Sequence, residues 1–180
     1  MTRTRRTAAG LAAVWGLALL IAATPVAASH GLEYAVKANY LVRFAAFVEW
    51  PPRVFSSAQA PVVICVVGRD PFGRTLDTAV RSQTAYGRPL AVRRPAAATE
   101  LAGCQIVYVG EGGAAAMTAA ESQPGLLTVT DEASSDERGA IHFVISRERV
   151  RFHIDQTAAM RRGLTISSRL LNLALTVRAR

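Results

Sequence analysis

The sequence predicts an α/β fold, one domain with a mixed, mainly parallel β-sheet that carries a late antiparallel hairpin and is covered by helices. Three observations carry that expectation. Residues 62–67 (VVICVV) and 104–109 (CQIVYV) are short apolar runs rich in β-branched side chains, as suits strands buried on both faces. Helix-period segments lie between such runs, the pattern of parallel strands joined by crossovers. Period-two alternation comes only late, where residues 140–145 and 149–154 flank Ser146, Arg147 and Glu148.

The first residues read as an address. Arg3, Arg5 and Arg6 precede an apolar run over residues 11–23, and Val26 and Ala28 supply the small residues of a cleavage site. This is the pattern of a secretory signal peptide, residues 1–28, with the cut expected after Ala28 and export as the outcome. A membrane span needs about 20 apolar residues, and this run is shorter. Arg5-Arg6 is followed by Thr7, Ala8 and Ala9, without the apolar pair that would strengthen a twin-arginine route. The remaining residues, 29–180, suit one domain with a real core. They carry 18 basic and 13 acidic residues, a charge of +5. Lys37 is the sole lysine of the sequence; the other basic residues are arginines, scattered with no run longer than two. An exported chain with dispersed arginines is not expected to take nucleic acid as a partner.

In chain order, Tyr40, Leu41, Phe44, Phe47 and Val48 form an apolar helical face, and Glu33 and Lys37 an (i, i+4) pair. A helix is expected over residues 33–49, stopped by Trp50-Pro51-Pro52. The strand at 62–67 ends at Gly68, and Asp70-Pro71 is a plausible start for a helix over 75–80. Residues 81–87 are a polar break, and 88–94 alternate as a strand placed at a sheet edge by Pro89. Gly110, Gly112 and Gly113 lead from the second buried strand into a helix over 114–122 without the spacing of a phosphate-binding loop. A third strand, 126–130, runs into Asp131, Glu132, Asp136 and Glu137, read as a solvated acidic loop lacking calcium-ligand spacing. The hairpin's second strand puts Arg149, Arg151 and His153 on one face and Val150, Phe152 and Ile154 on the core side. Asp155 can cap a helix over 156–162 ended by Gly163, and Ser167 a last helix over 168–177.

Two cysteines in an exported chain allow one intramolecular bridge, Cys65 to Cys104. Neighbouring strands about 4.8 Å apart meet its geometric requirement of roughly 4.4 to 6.8 Å between Cα atoms. His30, His142 and His153 are the candidate bases and Ser134, Ser135, Ser146, Ser167 and Ser168 the candidate nucleophiles, yet no G-x-S-x-G or H-E-x-x-H pattern occurs. No catalytic residue, metal site or cofactor is therefore expected. A second reading is a periplasmic small-ligand receptor module acting with another membrane receptor, in which Arg69, Asp70, Arg149, Arg151 and His153 line an anion pocket.

Four blocks in order, VKANYLVRFAAFVEWP, VVICVVGRDPFG, CQIVYVG and VRFHIDQTAAMRRGLTISSRLLNLA, resemble the YfiR-like periplasmic proteins across residues 33–177. The resemblance implies a non-enzymatic regulator that binds and inhibits the periplasmic region of an inner-membrane diguanylate cyclase, lowering cyclic di-GMP and biofilm formation. Another inner-membrane sensor can take the cyclase's place as partner. It also implies a homodimer, sequestration by an outer-membrane lipoprotein, and the Cys65–Cys104 bridge. The founding member's second cysteine pair has no counterpart here, so redox control through it does not carry over.

Overall fold

In the computed structural model, which describes residues 26–179, the chain opens with a long helix, α1 (Val26–Phe47). The helix passes directly into β1 (Val48–Glu49), then a single 3₁₀ turn at Pro52–Val54. The first half continues with β2 (Val62–Val67), α2 (Arg74–Val80), β3 (Thr84–Ala85) and β4 (Arg88–Arg93). Then come β5 (Ile106–Val109), α3 (Ala115–Glu121) and β6 (Leu127–Asp131). The hairpin is β7 (Ile141–Ser146) and β8 (Arg149–Asp155), followed by α4 (Gln156–Arg161) and β9 (Thr165–Ile166). A short α5 (Ser168–Leu171) and β10 (Thr176–Arg178) close the chain. The expected leader lies almost wholly outside the described residues, and no helix among these is long and apolar enough to cross a membrane.

Eight strands form one mixed sheet in the order β10-β8-β7-β6-β5-β2-β4-β3, with β1 and β9 pairing separately. The block from β4 to β7 is parallel throughout; β7–β8 and β3–β4 are antiparallel, and β10 lies parallel to β8. The α/β class, the parallel block and the hairpin match the sequence reading.

Because side chains alternate across a strand, each strand serves two faces. Val62, Ile64 and Val66, Leu127 and Val129, Ile141 and Phe143, and Phe152 and Ile154 point to the main core beneath α1. Phe44 stacks there against Phe143 and meets Phe152 edge-on, with ring centroids 5.7 and 5.3 Å away. Cys65 and Val67 with Val107 and Val109 face the other way, into a smaller cluster under Ala116 and Ala120 of α3. Cys65 and Cys104 are joined there, 5.9 Å apart at Cα. Across β6, β7 and β8 the same face turns polar, carrying Thr128, Thr130, His142, Arg151 and His153. α3 therefore covers only half of the second face.

Several boundaries differ from the sequence reading. The first helix stops at Phe47, because Val48 and Glu49 are drawn out to pair with Ile166 and Thr165. Asp70 does not cap α2; Gly73 stands at that position, and Asp70 instead accepts from the backbone N–H groups of Phe72 and Gly73. The polar break at 81–87 contains β3, so β4 is covered on its outer side, although Pro89 still donates nothing to the ladder. The last helix ends at Leu171 rather than at 177, and Thr176–Arg178 instead extends the sheet beside β8.

Candidate docking face and ligand groove

The single lysine of the chain lies in the core. Lys37 shares the α1 face of Leu41 and Phe44, and its side chain has no solvent exposure. It meets Asp131 at 2.5 Å, Glu33 one turn earlier, and the Tyr34 ring at 4.7 Å. Asp131 is itself fully buried, so the acidic segment read as a solvated loop begins with a core carboxylate. Its place follows from parity. Leu127, Val129 and Asp131 alternate onto the α1 face of β6. Tyr108 donates its hydroxyl to Asp131 at 3.2 Å, and Ala133 N–H donates to the other carboxylate oxygen at 3.1 Å. Burial works against the charged ammonium, but the bonds from Asp131 and Glu33 outweigh it and raise Lys37 above the ordinary lysine value. Burial and then the Asp131 charge push the Tyr108 phenol far above its usual range. The pair ties α1 to the sheet and sets the helix's rotation.

That rotation leaves an apolar strip of α1 outside. Leu32, Val36 and Tyr40 face Ile145 and Val150 of the hairpin across a groove of about 650 Å³. Leu32 is 69% exposed and Ile145 43%, unusual values for large aliphatic side chains grouped together. Glu33, Glu148 and Arg149 rim the groove with both signs of charge. The hairpin tip beside it is a two-residue turn with Arg147 and Glu148 both at positive φ, 51° and 60°, so its backbone twist matches that of the strands.

On the opposite face, next to the edge of α3, lies a second groove of about 430 Å³. Four side chains form a row in register, Thr130 on β6, His142 on β7, His153 on β8 and Thr176 on β10; the last three line the groove, and Thr130 is buried behind His142. Thr130 Oγ1 bonds His142 Nδ1 at 2.8 Å, and His153 Nδ1 bonds Thr176 Oγ1 at 2.6 Å. Arg138, Arg161, Arg162 and Arg178 stand around the row, against Glu121 and Asp155. Burial first, and then the Arg138 charge, lower both imidazoles below the ordinary histidine value.

The YfiR/HmsC-like family model matches residues 34–175, from α1 to the residue before β10. The chain belongs to the YfiR/HmsC-like family. It thereby joins a family of periplasmic regulatory proteins. No match was found among curated proteins.

In this YfiR/HmsC-like chain the five residues expected to form one anion pocket are dispersed. Arg69 and Asp70 follow β2, four strand spacings from β8 in the sheet order, or about 19 Å. Arg69 is paired with Glu111 at the surface, and Asp70 with Arg94 at 2.6 Å. The Arg94 bond and two backbone N–H groups hold the Asp70 carboxyl below its usual range despite partial burial, which opposes them. Asp70 thus shapes the turn into α2. Arg149 rims the apolar groove, Arg151 lines neither groove, and only His153 enters the basic groove. Strand order separates these three from Arg69 and Asp70, and the two grooves divide Arg149 from His153. The sequence reading does not bring Lys37, Asp131, Arg138 and His142 into a functional group. The available signals were Lys37 on the apolar stripe, Asp131 in phase with Leu127 and Val129, and His142 opposite His153 once the hairpin register is drawn.

Proposed function

We propose that this protein is a non-enzymatic periplasmic regulator that binds the periplasmic region of an inner-membrane signalling enzyme, a diguanylate cyclase, and inhibits it. Family membership over residues 34–175 is the observation that carries this reading. The apolar groove between α1 and the hairpin supports it, since exposed Leu32, Val36 and Ile145 in one concave strip, rimmed by charge, suit a partner's apolar side chains. Inhibition by contact needs differential affinity: a regulator that binds the inactive cyclase tenfold more tightly than the active one shifts its equilibrium by about 1.4 kcal/mol. The proposal includes a homodimer and sequestration by an outer-membrane lipoprotein as the means of relieving inhibition.

Deleting the gene raises cellular cyclic di-GMP and biofilm formation on this reading, and complementation restores both. An Ile145→Glu variant places a charge in the groove at an exposed site and should behave like the deletion while its abundance stays normal. Unchanged cyclic di-GMP in the deletion strain contradicts the proposal.

A further inference from the structure

We infer that the basic groove over β6, β7, β8 and β10 is a binding site for a small phosphate-bearing molecule, with Arg138, Arg161 and the two histidines as its recognition groups. The inference goes beyond partner regulation, because this groove lies on the face of the sheet away from α1.

The site is built rather than merely charged. Thr130 Oγ1 accepts the Gly139 N–H at 2.8 Å, and Thr128 Oγ1 accepts the Ala140 N–H at 2.9 Å, which pins the segment carrying Arg138 onto β6. Gly139 is required there: a Cβ would come within 2.7 Å of the Thr128 carbonyl oxygen. Having accepted from Gly139, the Thr130 hydroxyl can donate its proton to His142 Nδ1, leaving His142 with its ring proton on Nε2. Both histidines have Nδ1 occupied by a threonine, so Nε2 is the nitrogen left to each for a ligand.

The positive charge around this row is only partly spent. Arg178 pairs with Asp155 at 2.9 Å, and Arg162 donates to the carbonyls of Ala120 and Ala158. Among the described residues Arg138 and Arg161 make no ion pair, and they come from different parts of the chain, the β6–β7 connection and α4. Two free guanidinium forks and the His142 Nε2–H suit a tetrahedral dianion with three acceptor oxygens, and His153 Nε2 adds a donor when Thr176 donates to Nδ1 or when the ring is protonated. Met117, Ile154 and Ala158 add apolar wall, and about 430 Å³ exceeds what a bare phosphate fills, so an organic body accompanies the charged head.

The test titrates the purified protein with phenyl phosphate, inorganic phosphate, phenol and phosphatidylglycerol vesicles, following the histidine ring ¹H–¹⁵N signals by NMR. Phenyl phosphate should saturate and shift the His142 and His153 Nε2 signals, inorganic phosphate should compete more weakly, and phenol should do neither. Arg138→Ala should weaken phenyl phosphate by tenfold or more, Arg138→Lys should recover part of the loss, and Arg69→Ala, at a remote surface pair, should leave it unchanged. Saturable binding to vesicles alone would support the same phosphate recognition with a lipid headgroup as its source. Absence of saturable shifts with every probe, or an Arg138→Ala protein that binds as before, would overturn the assignment.

Discussion

At the scale of single residues, Lys37 and Asp131 decide how α1 sits on the sheet. Both are fully buried, so neither charge has water to fall back on. Removing one partner of such a pair costs about 3 to 5 kcal/mol, because the other charge is left uncompensated. Lys37→Met should therefore lower stability by that amount, read by urea unfolding. The double variant Lys37→Met, Asp131→Leu should recover most of the loss, and Glu33→Gln, at a partly exposed partner, should cost under about 1 kcal/mol. His142 gives a prediction of opposite character. Its pKa in the folded protein lies below the ordinary value, so the unfolded chain takes up the proton first as pH falls. The stability associated with neutral His142 is whole above about pH 6.5 and is lost as pH drops towards the folded value. Thermal melts between pH 8 and pH 5 should show this decline, and His142→Gln should flatten it. The sequence contained part of this chemistry. Helical spacing places Lys37 with Leu41 and Phe44, but a lysine four residues after a glutamate reads equally well as a solvated ion pair. Only the packing of α1 over β6 distinguishes the two.

At the scale of elements, local pattern succeeds where one period dominates and fails where a neighbour offers an unfilled hydrogen-bonding edge. Residues 62–67 are apolar on both faces and form β2 with the expected bounds. Residues 170–177 satisfy two periods at once: Leu170, Leu171 and Ala174 follow a helix, whereas Leu173, Leu175 and Val177 follow a strand. The edge of β8 settles it. Leu175 N–H donates to the Phe152 carbonyl at 2.7 Å, and the chain continues as β10. The same holds for Val48 and Glu49, which read as the end of a helix until β9 is available to pair with them. The Cys65–Cys104 bridge spans a sequence separation of 39. Replacing both cysteines by serine should cost roughly 4 kcal/mol in the chain-entropy account, measured as a fall in denaturation midpoint with the fold otherwise retained.

At the scale of the whole molecule, one sheet separates two functional surfaces. Its inner face is apolar from β2 to β8 except where Asp131 meets Lys37 and Tyr108, and it holds α1, whose outer strip forms the docking groove with the hairpin. Its outer face is apolar only under α3, and the uncovered half carries the threonine and histidine row. The sequence shows each strand's alternation but not the strand order, and strand order decides which polar residues meet. It brings His142 to His153 and keeps Arg69 away from both. The docking groove was equally hidden, since exposure of Leu32 and Ile145 depends on how far α1 extends and on where the hairpin ends. The measurement that tests the regulatory account most directly places a photo-crosslinking amino acid at Ile145, and separately at Arg69 outside the groove, and identifies what each captures in intact cells. The account predicts that position 145 captures an inner-membrane diguanylate cyclase through its periplasmic segment and that position 69 does not. Capture of the cyclase from position 69 alone, or of no membrane signalling protein from position 145, would contradict it.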